Sequence, residues 1–553
     1  MSRPNFLVIV ADDLGFSDVG CFGSEIKTPN IDSLAASGLR FTDFHAAPAC
    51  SPTRSMLMSG TDHHIAGVGS MAENIREFQK GNPGYEGYLN ERVAPLPELL
   101  RDAGYKTYMS GKWHLGLTPG RWPKDRGFDR SFSLLPGAAN HYGYEPHLLP
   151  GDKRPRLLAE TNVFYVEDST KIEPHELGPD FYSTDAFGDK MISYLSSRTE
   201  QDKSSPFFAY LAYSAPHWPL QAPDSDIAAY KDHYTSGPES LRQERLASLK
   251  RLGLIPSHAT PHDVIAPNTD RLMSKPWTSL SPSERAFSSK TMQVYAAMVS
   301  HMDASIGKVL SHLRSTGELD NTFVLFMSDN GAEGLLLESI PIINENIFEH
   351  IEKYYNNSIE NVGRRDSYVW YGPQWASAGT APGRLYKGFT AEGGIRVPLV
   401  VDWKGFRGGA EGGIEHGFCT VMDVLPTVLE LAGVKHPGTS WKGKEVAAVR
   451  GQSWVGYLTG QKKAMHEEET VTGWELFGRL GVRKGKWKAT FIPQPYGPET
   501  WQLFDLTADP GETKDLAVER RDKLKELLEA WADYMKECGV VGNAPEYGTL
   551  VVD

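Results

Sequence analysis

The first two thirds of the chain alternate short apolar runs with amphipathic stretches. Phe6 to Ala11 is continuously apolar, the pattern of a strand buried on both faces. Thr28 to Gly38 offers a capping residue, a proline at the first helical position and a closing glycine, which predicts a short helix. Leu96 to Ala103 predicts another helix, ended by Gly104, ahead of a strand over Tyr105 to Met109. Pro206 to Tyr213 reads as a further strand. Val294, Met298, Met302, Ile306, Val309 and Leu313 recur at a helical period across Met292 to Thr316, which stops at Gly317. Phe323 to Met327 is the next buried strand, and Ile395 to Asp402 another. This alternation predicts an α/β fold: a large mixed, mostly parallel sheet sandwiched by helices.

Two segments break the rhythm. Gln221 to Ser289 is polar and helix-prone and reads as a surface insertion. Leu335 to Pro382 is long and irregular, and carries Tyr354, Tyr355, Tyr368, Trp370, Tyr371 and Trp375. It is either a functional loop or a cover that packs its own aromatics. Towards the C-terminus, Thr470 to Trp474, Gly481 to Arg483, Trp487 to Ile492 and Trp501 to Leu506 read as four short antiparallel strands. Ala508-Asp509-Pro510-Gly511 is a turn, and Leu516 to Lys536 a charged amphipathic helix. The polar stretch Gly460 to Glu469 supplies a boundary, giving a large unit over 1–462 and a smaller sheet-and-helix unit over 463–553.

A chain of 553 residues is too long for one ordinary core. Hydrophobic residues at 40% and charged residues at 23%, with a mean hydropathy of -0.39, match soluble globular proteins. No apolar run approaches the length that spans a bilayer. The run Phe6 to Ala11 passes straight into Asp12-Asp13 without a cleavage pattern, so it is expected to be a strand and the protein cytoplasmic. Cys21, Cys50, Cys419 and Cys538 are scattered, which points to reduced thiols and to neither a zinc site nor a disulfide framework. Asn356-Asn357-Ser358 fits a glycosylation sequon, and without a secretion signal it reads as chance. A net charge of -13 argues against nucleic acid or an anionic membrane as partner. An anionic substrate then needs a local cluster of positive charge.

Cys50-Ser51-Pro52-Thr53-Arg54 opens such a cluster. With Ser51 as the expected N-cap and Pro52 first in the helix, Cys50 sits at a positive helix end with a guanidinium one turn inward. One unpaired cysteine is more often structural, so the rest of the chain must decide. Four strands end in chemically capable residues: Asp12-Asp13, Gly111-Lys112-Trp113-His114, Ser214-Ala215-Pro216-His217-Trp218-Pro219 and Ser328-Asp329-Asn330-Gly331. Sites in open α/β sheets form just beyond such carboxyl ends. Asp12, Asp13, Asp329 and Asn330 are hard oxygen donors, suited to Ca²⁺ or Mg²⁺ and not to zinc. Lys112 and His114, two apart, can face one pocket, whereas Lys387 alone would be a solvated lysine. The adjacent His63 and His64 point in different directions and read as structural or supporting.

Taken together, these motifs make the chain resemble the type I sulfatases of the alkaline phosphatase superfamily, and bacterial arylsulfatases most of all. The resemblance runs over essentially the full length, through Asn5 to Asp13, Cys50 to Gly60, Gly111 to Gly116, Ala215-Pro216-His217, Ser328 to Gly331 and Trp501 to Asp515. It implies that 1–462 is the catalytic domain and that sulfate monoesters, aryl and possibly alkyl, are hydrolysed. It implies that a maturing enzyme oxidises Cys50 to formylglycine, whose hydrate attacks sulfur. The sulfated hemiacetal then expels sulfate by re-forming the aldehyde, an exit closed to a serine ester. Asp12, Asp13, Asp329 and Asn330 would bind Ca²⁺, ahead of Mg²⁺ or Mn²⁺, with an oxygen of residue 50 completing the sphere. Arg54 would hold the diol, and Asp329 would help deprotonate it. Lys112 and Lys387 would bind sulfate oxygens and steady the leaving oxygen, His217 would be the general acid, and His114 would assist the elimination.

Two alternatives stay open on sequence alone. One is a phosphonate monoester or phosphodiester hydrolase, whose members share the cysteine motif and the sheet. The other is a sulfate-ester binding protein in which Cys50 is never matured. A cysteine phosphatase fits poorly, because its phosphate loop separates Cys and Arg by more than the three residues between Cys50 and Arg54.

Overall fold

Four apolar runs form the centre of a ten-stranded sheet: β1 (Asn5–Ala11), β2 (Lys106–Lys112), β3 (Phe207–Ala212) and β4 (Thr322–Ser328). The structure, a computed structural model, describes residues 3–155, 164–266, 272–334, 347–406 and 412–542. The central order is β4-β1-β3-β2, all parallel, followed by the parallel strand Arg130–Leu134. Leu399–Asp402 runs antiparallel beside β4, and Tyr165–Glu167 and Thr170–Ile172 close the far edge antiparallel.

Why β1 is apolar throughout is visible in its alternation. Leu7, Ile9 and Ala11 enter the core on one face, while Phe6, Val8 and Val10 enter the core on the other. The first core is covered by the long helix Pro282–Ser315 and by Ser183–Ser196; the second by α1 (Cys50–Ser59), Leu96–Asp102 and Val424–Ala432. Each buried large aliphatic or aromatic side chain contributes roughly 1.5–3 kcal/mol.

The small C-terminal sheet contains β5 (Val471–Leu476) and β6 (Arg479–Lys484), then Trp487–Phe491 and Trp501–Asp505, all antiparallel. Helix Arg521–Cys538 packs against it through Leu524, Leu527, Trp531 and Tyr534.

Several expectations are corrected. The strand expected to end at Met109 runs on to Lys112, because its pairing with β3 continues through Gly111. Gly111 has a φ of 121°, and a Cβ there would lie 1.8 Å from the Ala212 carbonyl oxygen, so only glycine allows this approach. The long helix begins at Pro282, not Met292: Ser281 and Glu284 form a reciprocal capping box that the apolar period did not mark. The last helix begins at Arg521, because Leu516 N–H and Asp515 are tied to the backbone of Leu503. The strand near 395 begins at Leu399, after a helical turn over Glu392–Ile395 and a proline that cannot donate to a ladder.

The segment Gln221 to Ser289 is no mere surface insertion. Its Tyr230, Tyr234, Leu241, Leu246, Leu249 and Leu254 are buried in the first core. Of the aromatic segment, 335–346 lies outside the described residues. In the remainder, Tyr371 stacks on Tyr295 at 4.7 Å, and Trp375 meets Tyr234 and Trp277, each at 5.8 Å. Those two therefore pack into the main core, while Tyr368, Trp370 and Tyr355 gather around Trp218.

Candidate active site

Parallel pairing brings the carboxyl ends of β4, β1, β3 and β2 to one edge, and backbone bonds continue past them. Asp12 N–H donates to Ala215 O at 3.0 Å, and Asp329 N–H to Ala11 O at 3.1 Å. Asp12, Asp13, Lys112, Asp329 and Asn330 leave the sheet side by side, and all are buried. Asp13 turns with a φ of 68°, a costly conformation for a non-glycine that places its side chain in the cluster.

The helix carrying Cys50 is built differently from the expectation. Cys50 is its first residue and Ala49 its N-cap; the Ser51 hydroxyl is buried and caps nothing. No side chain caps the helix; Thr53 Oγ1 accepts from Ala47 N–H at 2.9 Å and so ties the helix to the segment that leads into it. The result still sets Cys50, 1% exposed, at the positive end of α1. One turn on, Arg54 donates from Nε and Nη2 to Asp329 Oδ2 at 2.9 and 2.7 Å, and from Nη1 to the Lys112 carbonyl at 2.7 Å.

The two lysines pair with the two N-terminal acids. Lys112 Nζ lies 2.6 Å from Asp12 Oδ2. Lys387 Nζ lies 2.8 and 2.9 Å from Asp13 Oδ1 and Oδ2, and 3.0 Å from Glu333 Oε2. Asn330 Nδ2 donates to Asp13 Oδ1 at 2.8 Å. Asp12 Oδ1 and Asn330 Oδ1 are buried without a hydrogen-bond partner. Asp12, Cys50 and Asp329 present ligand atoms within 4.8 Å of one another, as do Asp12, Asp13 and His217.

The histidines border this cluster. His217 Nε2 lies 3.5 Å from Asp13 Oδ2, and its Nδ1–H donates to the Trp218 carbonyl at 2.6 Å. His114, at a φ of 54°, directs Nε2 towards Glu73 Oε2 at 3.4 Å and leaves Nδ1 buried without a partner. All ten residues singled out from the sequence thus lie in or beside one cluster. His63 and His64 lie elsewhere: His64 bridges Asp62 and Glu475 at 2.8 and 3.0 Å.

The Sulfatase family profile matches residues 4–434. The chain belongs to the sulfatase family. An uncharacterized sulfatase of Schizosaccharomyces pombe is 50% identical over 547 residues, covering 98% of this chain and 95% of that one. An arylsulfatase of Klebsiella aerogenes is 38% identical over 456 residues, 82% of this chain and 91% of its own. The crystal structure of Ps i-CgsB in complex with k-i-k-neocarrahexaose superposes with a TM-score of 0.64 at 25% identity, covering 96% and 93% of the two chains.

As a sulfatase, the protein is a sulfuric ester hydrolase, and the electrostatics of its cluster follow from burial. Burial, reinforced by Asp329 and Asp13, pushes the Asp12 carboxyl well above its ordinary range despite Lys112. Burial likewise raises Asp13 to about 6, against the pull of Lys387. Burial would also raise Asp329, but Arg54, Lys112 and Lys387 outweigh it and hold that carboxyl below its usual value. Burial raises the Cys50 thiol more than the two lysines lower it, so at neutral pH it is a protonated thiol and a poor nucleophile. Burial, then Lys387 and Lys112, hold the His217 imidazole well below its ordinary value.

Three residues of this sulfatase site escaped the sequence reading. Glu333 lies four positions after Asp329, so following that motif further would have reached it. Trp218 directly follows His217 in the chain and meets its ring at 4.6 Å. Glu73 carries no local signal; it reaches His114 through a short turn over Ala72–Asn74. The small sheet also takes part: Leu476, at the end of β5, packs with Ala49, Cys50 and Met71. Among the described residues no helix is long and apolar enough to cross a membrane.

Proposed function

We propose that the substrate is an aryl sulfate ester, that residue 50 acts after conversion from cysteine to formylglycine, and that Asp12, Asp13, Asp329 and Asn330 hold a Ca²⁺ ion. The observation that carries this reading is the pair of buried oxygens without a hydrogen-bond donor, Asp12 Oδ1 and Asn330 Oδ1, together with the close approach of Asp12, Asp329 and Cys50. Buried carboxylates in this number are costly unless a cation joins them. The donor set is all oxygen apart from residue 50, which favours Ca²⁺, with Mg²⁺ and Mn²⁺ behind it. When present, the ion and the hydrated aldehyde would supply charge neutralisation at the sulfate oxygens and a nucleophilic hydroxyl at neutral pH.

The remaining work falls to the chain itself. Arg54 fixes Asp329 in its ionised form and orients it toward Cys50. Lys112 and Lys387 exchange Asp12 and Asp13 for sulfate oxygens once those carboxylates are engaged elsewhere. Because a carbonyl only accepts, His217 Nδ1 keeps its proton and donates it in a hydrogen bond to Trp218 O, and Nε2 is the atom that faces the site. A bound anion offsets the lysines that disfavour the imidazolium, so His217 gains the proton it delivers from Nε2 to the leaving oxygen. His114 keeps Nδ1 available to take a proton from residue 50 while Glu73 engages Nε2.

The aryl preference rests on two supports. One is the similarity to the Klebsiella aerogenes arylsulfatase. The other is the apolar group of Trp218, Tyr368, Phe348 and Trp370, whose Trp218 meets the ring of His217, the proposed general acid. The maturing enzyme must reach Cys50 before the chain closes, since the folded side chain is 1% exposed. We keep the cytoplasm as the compartment, on four cysteines that are all free, and the division at 462/463 as the domain boundary. Turnover of aryl, alkyl and carbohydrate sulfates under matched conditions tests the assignment; aryl esters should be cleaved fastest, and a preference for carbohydrate sulfates would overturn it.

A further inference from the structure

We infer that Glu333 is a positioning residue that keeps the Lys387 ammonium on the leaving-group side of the bound sulfate. The inference rests on the role proposed for Lys387. An ammonium has three N–H donors. Here Nζ donates to Asp13 Oδ2 at 2.9 Å, with Asp13 Oδ1 at 2.8 Å, and Glu333 Oε2 stands 3.0 Å away. Asp13 is proposed above as a ligand of the cation, and in that role its hold on Lys387 would weaken. Glu333 then becomes the charged anchor that remains, and the other N–H groups are released to the ester.

The same carboxylate oxygen also accepts from Trp218 Nε1–H at 3.4 Å. Trp218 lies against the His217 ring. One acceptor therefore ties together the two arms that meet the leaving oxygen, the lysine and the general acid. The backbone makes this juxtaposition rigid. Lys387 N–H donates to Ala332 O at 3.0 Å, one residue before Glu333, and Gly331 N–H donates to Gly394 O at 2.9 Å. A Cβ on Gly331 would lie 1.9 Å from Gly393 O, so the two segments are in direct backbone contact. At 5% exposure, Glu333 is a negative charge buried beside an anion-binding site. Such a charge repels substrate unless it is paired with a cation, and Lys387 supplies one at 3.0 Å.

The test is a double-mutant cycle on the calcium-loaded, formylglycine-bearing enzyme, using phenyl sulfate and 4-nitrophenyl sulfate. Glu333→Gln should lower kcat on phenyl sulfate by about ten- to a hundredfold, with a much smaller loss on the better leaving group and little change in KM. Glu333→Asp should recover part of the loss, and calcium content and melting temperature should stay near the parent's. In a Lys387→Ala background, Glu333→Gln should cost nothing further. Equal losses on the two esters, or the same loss with Lys387 absent, would overturn the inference while leaving Lys387's own deficit intact. A Lys387→Ala enzyme that shows no deficit on phenyl sulfate would overturn the reading of Lys387, and this inference with it.

Discussion

Arg54 grips Asp329 through a single oxygen: Nε and Nη2 both converge on Oδ2, at 2.9 and 2.7 Å. Oδ1 is left pointing to the Asp13 N–H at 3.3 Å and to the acidic cluster. The guanidinium thereby fixes which face of Asp329 meets the site, and with Lys112 and Lys387 keeps it ionised against burial.

Arg54→Ala should therefore remove more than a ligand. It leaves Asp329 buried and unpaired, at a cost of roughly 3–5 kcal/mol, and frees the side chain to rotate. We expect a lower melting temperature together with a loss of calcium. Arg54→Lys should restore stability in part but not the two-nitrogen grip. Calorimetry with metal analysis on both variants checks this; an Arg54→Ala protein of parental stability and calcium content would contradict it.

Removing the metal should destabilise the fold as well as stop turnover. Without a cation, Asp12 and Asp13 crowd Asp329 in a buried site, and burial raises the first two carboxyls. Chelation should lower the melting temperature, and Ca²⁺ should restore both stability and activity, the gain growing with ion concentration as mass action requires. Zn²⁺ should restore activity poorly. Full activity in excess chelator would refute the metal assignment.

His217→Ala should discriminate between leaving groups. A general acid contributes about 10²–10⁴-fold where the departing oxygen is basic, and little where it leaves unaided. The loss in kcat should be large on phenyl sulfate and small on 4-nitrophenyl sulfate. A uniform loss would assign His217 to binding.

His64 gives a stability prediction remote from the chemistry. Burial opposes its charge, but hydrogen bonds to Asp62 and Glu475 raise its pKa to about 9 from an ordinary 6.5. A group with a raised folded-state pKa stabilises fully below the unfolded value and loses that contribution as pH rises through the folded one. The window is thus pH 6.5 to about 9, and the amount lost is on the order of 3 kcal/mol. Neighbouring His63, lowered to about 4, is neutral throughout that window and does not confuse the reading. His64→Gln should flatten the fall in stability between pH 6.5 and 9; an unchanged slope would show that the bridge from Asp62 to β5 is not charged.

The metal-ligand candidates and the bases were legible because strand ends carry them in runs: Asp12-Asp13, Lys112 to His114 and Asp329-Asn330 each follow an apolar stretch that fixes their place. Lys387 was legible only through resemblance, since nothing in Arg384 to Gly388 shows that Arg384 reaches Gln502 and Thr490, or that Gly388 is tied to Pro48 and Arg479. The N-cap of α1 was misread because serine before proline is the commoner signal, and Thr53's bonds to Ala47 require a turn that sequence does not display. Gln221 to Ser289 was misread because its polar residues outnumber the leucines and tyrosines that fill the core, and Arg245 is buried only by virtue of Asp18 and Glu25.

The central claim is that residue 50 works as formylglycine and not as the encoded cysteine. Mass spectrometry of the peptide containing residue 50, on protein from a host with the maturing enzyme, measured beside aryl sulfate turnover, tests it most directly. The expected result is an aldehyde in place of the thiol, with activity proportional to the converted fraction and absent in Cys50→Ala. Full activity in protein that carries only the unmodified thiol would contradict the account.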